Sequence, residues 1–181
     1  MGLTLYCGGD DSNHAGDNRG EVIVVVFSFS HEDSIVKSFP NRRDYDAATT
    51  WMNDPRYQRD YRFTILTAEK YRHSLENLPR VMPYLVRSFL ETNPLGSEVE
   101  NMELYLDWRL NRDREQELKE KFLDFPDMKA EGFIKKNHRD NHVMKRHRCP
   151  AVVCIADVWA HMIYRRTLDK ILEDDKMVVI P

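Results

Sequence analysis

Aspartate residues lie at the ends or in the middle of three apolar runs of this chain. Asp10 and Asp11 close the first run, Asp107 ends the second, and Asp157 lies inside the third. Burying a carboxylate costs free energy unless a partner compensates its charge, and a divalent cation is one such partner. Carboxylates that converge on Mg²⁺ or Mn²⁺ often serve phosphodiester chemistry. We therefore expect a fold that brings Asp10, Asp107 and Asp157 together at one end of a central sheet.

The composition is that of a soluble globular chain. It has 181 residues, 41% of them apolar and 31% charged, and we expect a single domain over residues 1–181. No apolar run is long enough to cross a bilayer, and the start lacks a signal sequence. The three cysteines form no Cys-x-x-Cys motif, which favours a cytoplasmic location. Because the net charge is −3, any affinity for nucleic acid would need local basic patches. The sequence does not indicate an oligomeric state.

The spacing of apolar residues predicts leading strands that are followed by alternating helices and strands. An insertion at 31–60 carries a helix near residues 44–52, and prolines at 79 and 83 predict a break or kink in the next helix. Residues 151–156 fit either a strand or the start of a helix in which Pro150 occupies the first turn. This order predicts an α/β fold with a mixed sheet and helices on its faces. The predicted strands are residues 3–9, 21–30, 61–67, 102–107 and 132–136.

This order, with acids in these places, resembles the ribonuclease H-like superfamily. The chain is most similar to uncharacterised members that open with a strand ending Asp-Glu-Ser and close with an Ala-Asp helix. The corresponding residues here are Asp10-Asp11-Ser12 and Ala156-Asp157, and residues 104–107 resemble the middle strand that supplies the central acid. The resemblance covers most of the chain, except the 31–60 insertion and the last few residues. It implies a mixed five-stranded sheet flanked by helices, with a helical insertion between the second and third strands.

The resemblance also implies a metal-dependent nuclease or a related phosphoryl-transfer enzyme. In such enzymes carboxylates hold two Mg²⁺ or Mn²⁺ ions about 4 Å apart. Asp10, Asp107 and Asp157 would be catalytic metal ligands, and Asp11 would be a further ligand. Taken singly, each acid also allows a simpler role, because aspartates commonly form turns, helix caps and buried salt bridges.

The family's helical acid has two candidates in this sequence. Glu69 and Glu76 both fall near the start of the first long helix. We favour Glu76 as the fourth catalytic residue that the resemblance implies.

A basic segment near residues 135–148 is the candidate nucleic-acid surface. Lysine and arginine neutralise phosphates without reading base sequence. A simpler interpretation is a solvated basic loop. Zinc binding by His138, His142, His147 and Cys149 is a third, although a structural zinc site needs a full set of four ligands. The candidate phosphate-binding residues are Lys135, Lys136, Lys145, Arg146 and Arg148.

The insertion and the residues just after it mix arginine with aromatic side chains. Such a mixture can hold single-stranded nucleic acid by charge and stacking. The same aromatic residues can instead be core contacts of an amphipathic helix, which is the simpler interpretation. The residues concerned are Arg42, Arg43, Tyr45, Trp51, Arg56, Tyr57, Arg59, Tyr61 and Arg62.

Two functional hypotheses of different class follow from the sequence. The first is a nuclease that cleaves nucleic acid by a two-metal carboxylate mechanism. The second is a catalytically inactive ribonuclease H-like scaffold that binds nucleic acid or protein, since a fold does not fix a function. Binding of divalent metal is the observation that separates them.

Overall fold

A computed structural model describes residues 2–12, 20–30, 34–35, 45–67, 77–106, 112–123, 134–137, 149–165 and 173–180. Within these residues no helix is long and apolar enough to span a membrane. The strands are β1 (Leu3–Ser12), β2 (Glu21–Ser28), β3 (Ser34–Ile35), β4 (Asp60–Leu66), β5 (Val99–Leu106), β6 (Ile134–Asn137) and β7 (Cys149–Pro150). The α-helices are α1 (Tyr45–Met52), α2 (Asn77–Thr92), α3 (Arg112–Leu123) and α4 (Ala151–Tyr164).

The central sheet of the described chain has five strands in the order β4-β2-β1-β5-β6. The β1–β2 and β2–β4 pairs are antiparallel, whereas β5 runs parallel to β1 and β6 parallel to β5. Strands β1, β2 and β4 therefore form an antiparallel meander. The two strands that follow, β5 and β6, are parallel to β1, and each comes after a helix in the sequence. This confirms the predicted α/β fold, a mixed five-stranded sheet flanked by helices. The helical insertion is confirmed as well, because α1 lies between the second and third strands of the sheet.

Both faces of the sheet are buried. One face packs against α1 and α4 through side chains such as Tyr6 and Val24. The other packs against α2 and α3 through side chains such as Cys7 and Ile23. Strand β2 is buried along its whole length, which explains why residues 22–27 are all apolar instead of alternating with polar ones.

Helix α2 begins at Asn77 and continues through Pro79 and Pro83, so the prolines do not break it. A proline inside a helix costs about 3 kcal/mol because it removes a hydrogen bond and crowds the preceding turn. Burial of each large apolar side chain contributes about 1.5–3 kcal/mol. The apolar residues of α2 therefore outweigh this cost. Those fully or almost fully buried are Val81, Met82, Leu85, Val86 and Phe89.

Residues 151–156 form the first turns of α4 and not a strand. Every residue from Ala151 to Val158 is buried, because the sheet covers one side of α4 and α1 also contacts it. A helix that is apolar all round has no polar stripe, so its periodicity could not separate the two interpretations. Pro150 lies just before this helix instead of in its first turn, and it pairs with Ser34 of β3.

The segment 173–180 covers the outer edge of β4. The Phe63 N–H donates to the carbonyl oxygen of Lys176 over 3.1 Å, and the Val178 N–H donates to the Phe63 carbonyl oxygen over 2.8 Å. The Lys176 Nζ lies 3.1 Å from Asp60 Oδ1. An uncovered strand edge can pair with another chain, and this segment occupies the place where such pairing would occur.

We expect acid to weaken the fold partly through Asp60, which lies beside Lys176 and Arg62. Burial raises the pKa of Asp60, but the hydrogen bond from Lys176 and the charges of Arg62 and Lys176 outweigh it, so the pKa lies below its ordinary value. Such a carboxylate stabilises the fold above its unfolded pKa of about 3.9, and this contribution is lost as the pH falls. In urea titrations, Asp60→Asn should therefore flatten the loss of stability below about pH 4. Parallel curves for variant and wild type would contradict this.

Candidate active site

Asp10 and Asp11 lie at the carboxyl end of β1, the middle strand of the sheet. Each is only 6% exposed, and the Asp11 N–H donates to Asp10 Oδ1 over 2.9 Å. They pair with Val24 and Ile23 of β2, so they belong to the strand and not to a turn. Adjacent carboxylates in the middle of a sheet are costly to bury, and such groups cluster at functional sites. This end of β1 is the candidate active site.

The two aspartates face opposite sides of the sheet, because side chains alternate along a strand. Asp10 shares its face with Tyr6, which packs toward α1 and α4. Asp11 shares its face with Cys7, which packs toward α2 and α3. Burial raises the pKa of the Cys7 thiol well above its ordinary value, so Cys7 is a core residue of this strand.

Gly8 allows α4 to approach β1 closely. A Cβ atom at Gly8 would stand 2.3 Å from the carbonyl carbon of Val152 and 2.5 Å from the nitrogen of Val153. Only glycine fits there without a shift of the backbone. Gly8 precedes Asp10 by two residues, and Val153 precedes Asp157 by four. Helix α4 therefore carries Asp157, which is 5% exposed, across the face of the sheet on which Asp10 lies.

Strand β5 runs beside β1 and leads into the next predicted acid. Its last residue, Leu106, pairs with Gly9. Asp107 follows Leu106 in the sequence but lies outside the described residues, so the convergence of Asp10, Asp107 and Asp157 stays a prediction. Where the chain is described, no three His, Cys, Asp or Glu side chains are grouped closely enough to hold a metal ion. A ligand set built on Asp10 and Asp157 therefore needs at least one further residue from outside the described ranges, for which Asp107 and Glu76 are the predicted candidates.

The other predicted site residues are described in part or not at all. Lys135 and Lys136 lie on β6, the edge strand next to β5. The candidates outside the described residues are Glu69, Glu76, Lys145, Arg146 and Arg148, as well as His138, His142 and His147 of the alternative zinc set.

The sequence interpretation missed a buried polar pair, Glu21 and Asn77. The Asn77 Nδ2 donates to Glu21 Oε2 over 2.6 Å, and both residues are almost fully buried. A signal was present, because Glu21 is a charged residue that opens an otherwise apolar strand. Asn77 gave no signal, since an asparagine near a helix start is normally read as a cap.

A second missed pair lies on the Asp10 side of the sheet. The Tyr105 hydroxyl donates to Glu103 Oε2 within β5. Tyr105 is buried and pairs with Gly8 across the parallel ladder. The alternation of Glu103 and Tyr105 with apolar residues was visible in the sequence, but it indicated an ordinary half-buried strand.

The described arginines of the insertion and β4 mainly make contacts within the protein. Arg62 is buried, with Nη1 2.9 Å from Asp60 Oδ1 and Nη2 2.5 Å from Thr92 Oγ1. Arg56 is exposed and forms an ion pair with Asp54, and its hydrogen bonds lower the pKa of Asp54 to about 2. Both guanidinium groups are therefore engaged within the protein, and this geometry does not orient either of them to bind a phosphate.

The described aromatic residues of this region are core contacts in large part. Trp51 stacks on Tyr57 with ring centroids 4.1 Å apart, and Tyr61 stacks on Trp159 of α4 at 4.3 Å. All four pack against the core cluster on the α1 and α4 side of the sheet. The simpler interpretation therefore describes them, whereas Arg42 and Arg43 lie outside the described residues.

No family model and no curated protein matches this chain. Among solved structures, it is similar to the ribonuclease H2 from Pyrococcus horikoshii OT3, with 16% sequence identity and a TM-score of 0.46 over 98% of this chain and 82% of that one. It is also similar to a mutant protein of Bst-RNase HIII, with 15% identity and a TM-score of 0.45 over 91% of this chain. The alignment covers 53% of that protein, so this chain spans about half its length. These similarities assign no reaction, substrate or metal to this chain.

Proposed function

We propose that this chain is a divalent-metal-dependent nuclease or a related phosphoryl-transfer enzyme that acts on nucleic acid. The observation that carries the proposal is the buried pair Asp10 and Asp11 at the carboxyl end of the central strand. The neighbouring parallel strand ends opposite Gly9 and leads into a third aspartate, Asp107. Carboxyl ends of adjacent parallel strands lie at the same edge of a sheet, which suits acids that act together.

The candidate ligands fit a hard divalent cation. Asp10, Asp107 and Asp157 would supply carboxylate oxygens, with Glu76 as a further acid, and oxygen donors of this kind suit Mg²⁺ or Mn²⁺. Asp11, which was predicted as a further ligand, faces the other side of the sheet and is left out of this set. Bound ions would activate a water molecule and stabilise the leaving oxygen of a phosphodiester. The role of the chain is to fix the acids: β1 holds Asp10 rigidly in a sheet, and α4 holds Asp157 over the same face.

Nucleic acid would approach from the β6 side of the site. Lys135 and Lys136 lie on β6, and neighbouring strands are about 4.8 Å apart, so β6 lies about 10 Å from β1. Lys145, Arg146 and Arg148 follow in the segment that leads back to α4. In this proposal these lysine and arginine residues contact phosphates of the nucleic acid. The cytoplasmic location expected from the cysteines stays a prediction.

Divalent metal is expected to raise the melting temperature of the protein. Clustered carboxylates repel one another, and an ion that binds only the folded state relieves this repulsion. A concentration of 100 times the Kd stabilises by about 2.7 kcal/mol, which is about 5–10 °C for a chain of this size. The measurement is a melting curve in millimolar Mn²⁺ against one in EDTA.

Two variants make this measurement specific. Asp10→Asn should abolish the shift, whereas Asp175→Asn, which changes an exposed aspartate, should keep it. Superimposed wild-type curves in Mn²⁺ and EDTA would count against a metal site. Nucleic-acid binding without such a shift and without cleavage would instead favour the inactive scaffold.

A further inference from the structure

The segment 173–180 forms a strap along the outer edge of β4, and its backbone is held there at a single residue of that strand. Among the described residues, both backbone hydrogen bonds between the strap and β4 involve Phe63, one to the Lys176 carbonyl oxygen and one from the Val178 N–H. On its other side, β4 pairs with β2 along its whole length, from Asp60 to Leu66. The strap is thus attached to β4 far more weakly than β2 is.

The side chains of the strap add contacts that are only partly buried. Met177 packs against the core cluster on the α1 and α4 side of the sheet, and Val178 and Ile180 pack against the cluster on the other side. The ion pair between Lys176 and Asp60 joins two side chains that are both partly exposed. Such pairs contribute little to stability, because water and salt screen them. Release of the strap therefore gives up few deeply buried contacts.

Asp60 keeps partners on its own strand when the strap leaves. Its Oδ1 lies 2.9 Å from Arg62 Nη1 and accepts from the Tyr61 N–H over 2.9 Å. The groups that lose their partners are the N–H and the carbonyl oxygen of Phe63, which is fully buried while the strap is in place. Release would therefore expose a strand edge that offers one donor and one acceptor to another strand.

This edge is suited to pairing with a second copy of itself. Phe63 directs both its N–H and its carbonyl oxygen away from β2. In an antiparallel ladder, two such residues that lie opposite each other exchange both hydrogen bonds. A two-fold axis between two copies would place Phe63 opposite Phe63 of the second copy. The flanking pairs in this register would be Arg62 with Thr64 and Tyr61 with Ile65.

The side chains of β4 are compatible with this register. No two like charges of β4 lie opposite each other in it, and like charges in that position would destabilise the pair. Tyr61 opposite Ile65 is an aromatic and β-branched pair, which is favourable and occurs twice by symmetry. An isologous dimer requires such a self-complementary surface. The occupant that fits the edge is therefore a second copy of this chain and not an unrelated extended peptide.

We propose that the strap is a removable cover of the β4 edge, and that its release allows two copies of this chain to pair through β4. A segment tethered to its own site has an effective concentration of up to about millimolar, so a second copy does not displace it at lower protein concentrations. Release of the strap is therefore the step that permits assembly. The pairing involves neither the acids of the candidate active site nor a metal, and it is independent of the proposed function.

The test is the molar mass of Val178→Pro, measured by light scattering on the full chain over a dilution series. Proline has no N–H, so the strap loses its hydrogen bond to the Phe63 carbonyl oxygen. We expect the variant to reach twice the monomer mass at concentrations where the wild type keeps the monomer mass. A free peptide with the sequence of residues 173–181, in excess, should return the variant to the monomer mass, whereas a scrambled peptide should not.

The matched control is Val179→Pro, the same substitution one residue further along the strap. Val179 is 84% exposed, and its N–H points away from β4 because amide directions alternate along a strand. Proline is tolerated where the N–H of an edge strand faces away from the sheet. Val179→Pro should therefore keep the wild-type mass at every concentration.

Hydrogen exchange of the amides in residues 174–178 reports whether the strap has left β4. Faster exchange in Val178→Pro, with the monomer mass at every concentration, would show that release does not lead to pairing and that the proposal is wrong. If exchange is not faster, Lys176→Glu is added, which replaces the attraction to Asp60 by repulsion. Unchanged exchange in this double variant would show that the strap is not removable, which also contradicts the proposal. A dimer that the free peptide does not dissociate would form through another surface, with the same consequence.

Discussion

Asp107→Asn is expected to abolish metal-dependent cleavage of nucleic acid while leaving binding nearly unchanged. In the proposed function the carboxylate would hold metal, whereas the phosphate contacts would come from lysine and arginine residues elsewhere in the chain. Loss of several kcal/mol of transition-state stabilisation corresponds to a rate at least about a thousandfold lower. Cleavage and binding would be measured side by side on single-stranded and duplex DNA, RNA and hybrids, with Mn²⁺ present.

A complementary variant separates binding from chemistry. Lys145→Glu combined with Arg146→Glu should weaken binding, and the slope of log K against log salt should fall by roughly 1.4–1.8 for two lost phosphate contacts. Asp175→Asn should behave as the wild type in both assays. A wild type that binds but cuts none of the substrates, with Asp107→Asn indistinguishable from it, would establish the scaffold hypothesis instead. A wild type that neither binds nor cuts would contradict both hypotheses.

Gly8→Ala is expected to cause a large loss of stability, although it adds only one methyl group to β1. The added methyl group would meet backbone atoms of Val152 and Val153, which cannot rotate aside as a side chain can. Overpacking of a core typically costs about 1–3 kcal/mol, and here α4 itself must shift. We expect the upper end of this range, which is a fall of about 6–12 °C in melting temperature. The shift should also weaken Mn²⁺ binding, because α4 carries Asp157.

A double variant tests the cause of this loss. Val152→Ala removes side-chain atoms but leaves the backbone in place, so it should not restore the stability of Gly8→Ala. If the double variant regained the stability lost in Gly8→Ala, the clash would be with the Val152 side chain and not with the backbone. The explanation given for Gly8 would then be wrong. The two substitutions are in contact, so their effects need not add and the double variant must be measured directly.

The fold followed from the sequence because the local signals agreed with the tertiary arrangement. The five predicted strands all overlap strands of the observed sheet, and the helix predicted near residues 44–52 is α1. Two features were not predicted, namely the continuation of α2 through its prolines and the helical nature of residues 151–156. In both places burial decided the outcome, because the buried apolar residues of α2 outweigh the cost of the prolines and residues 151–158 of α4 are all buried.

Only those acids of the candidate site that lie at the ends of apolar runs could be predicted from the sequence. Asp10 and Asp11 were found because two charges close an apolar run, and the structure places both in the buried ladder of β1. That they face opposite sides depends on the strand continuing through them instead of turning, which the two preceding glycines obscured. The partnership of Glu21 with Asn77 joins residues 56 positions apart and has no local signature.

The tandem arrangement of two glycines and two aspartates in β1 has a consequence for pairing register. If β1 slid by one residue against β2 and β5, Gly9 would replace Gly8 beneath α4 and Asp11 would replace Asp10 on that face. The small residue and the acid would each be kept, so this segment alone does not oppose the slip. Opposition must come from Leu5, Tyr6 and Cys7, whose side chains would exchange faces. Tyr6→Ala should therefore weaken the specification of the β1 register, and this would disturb the site although both aspartates are kept.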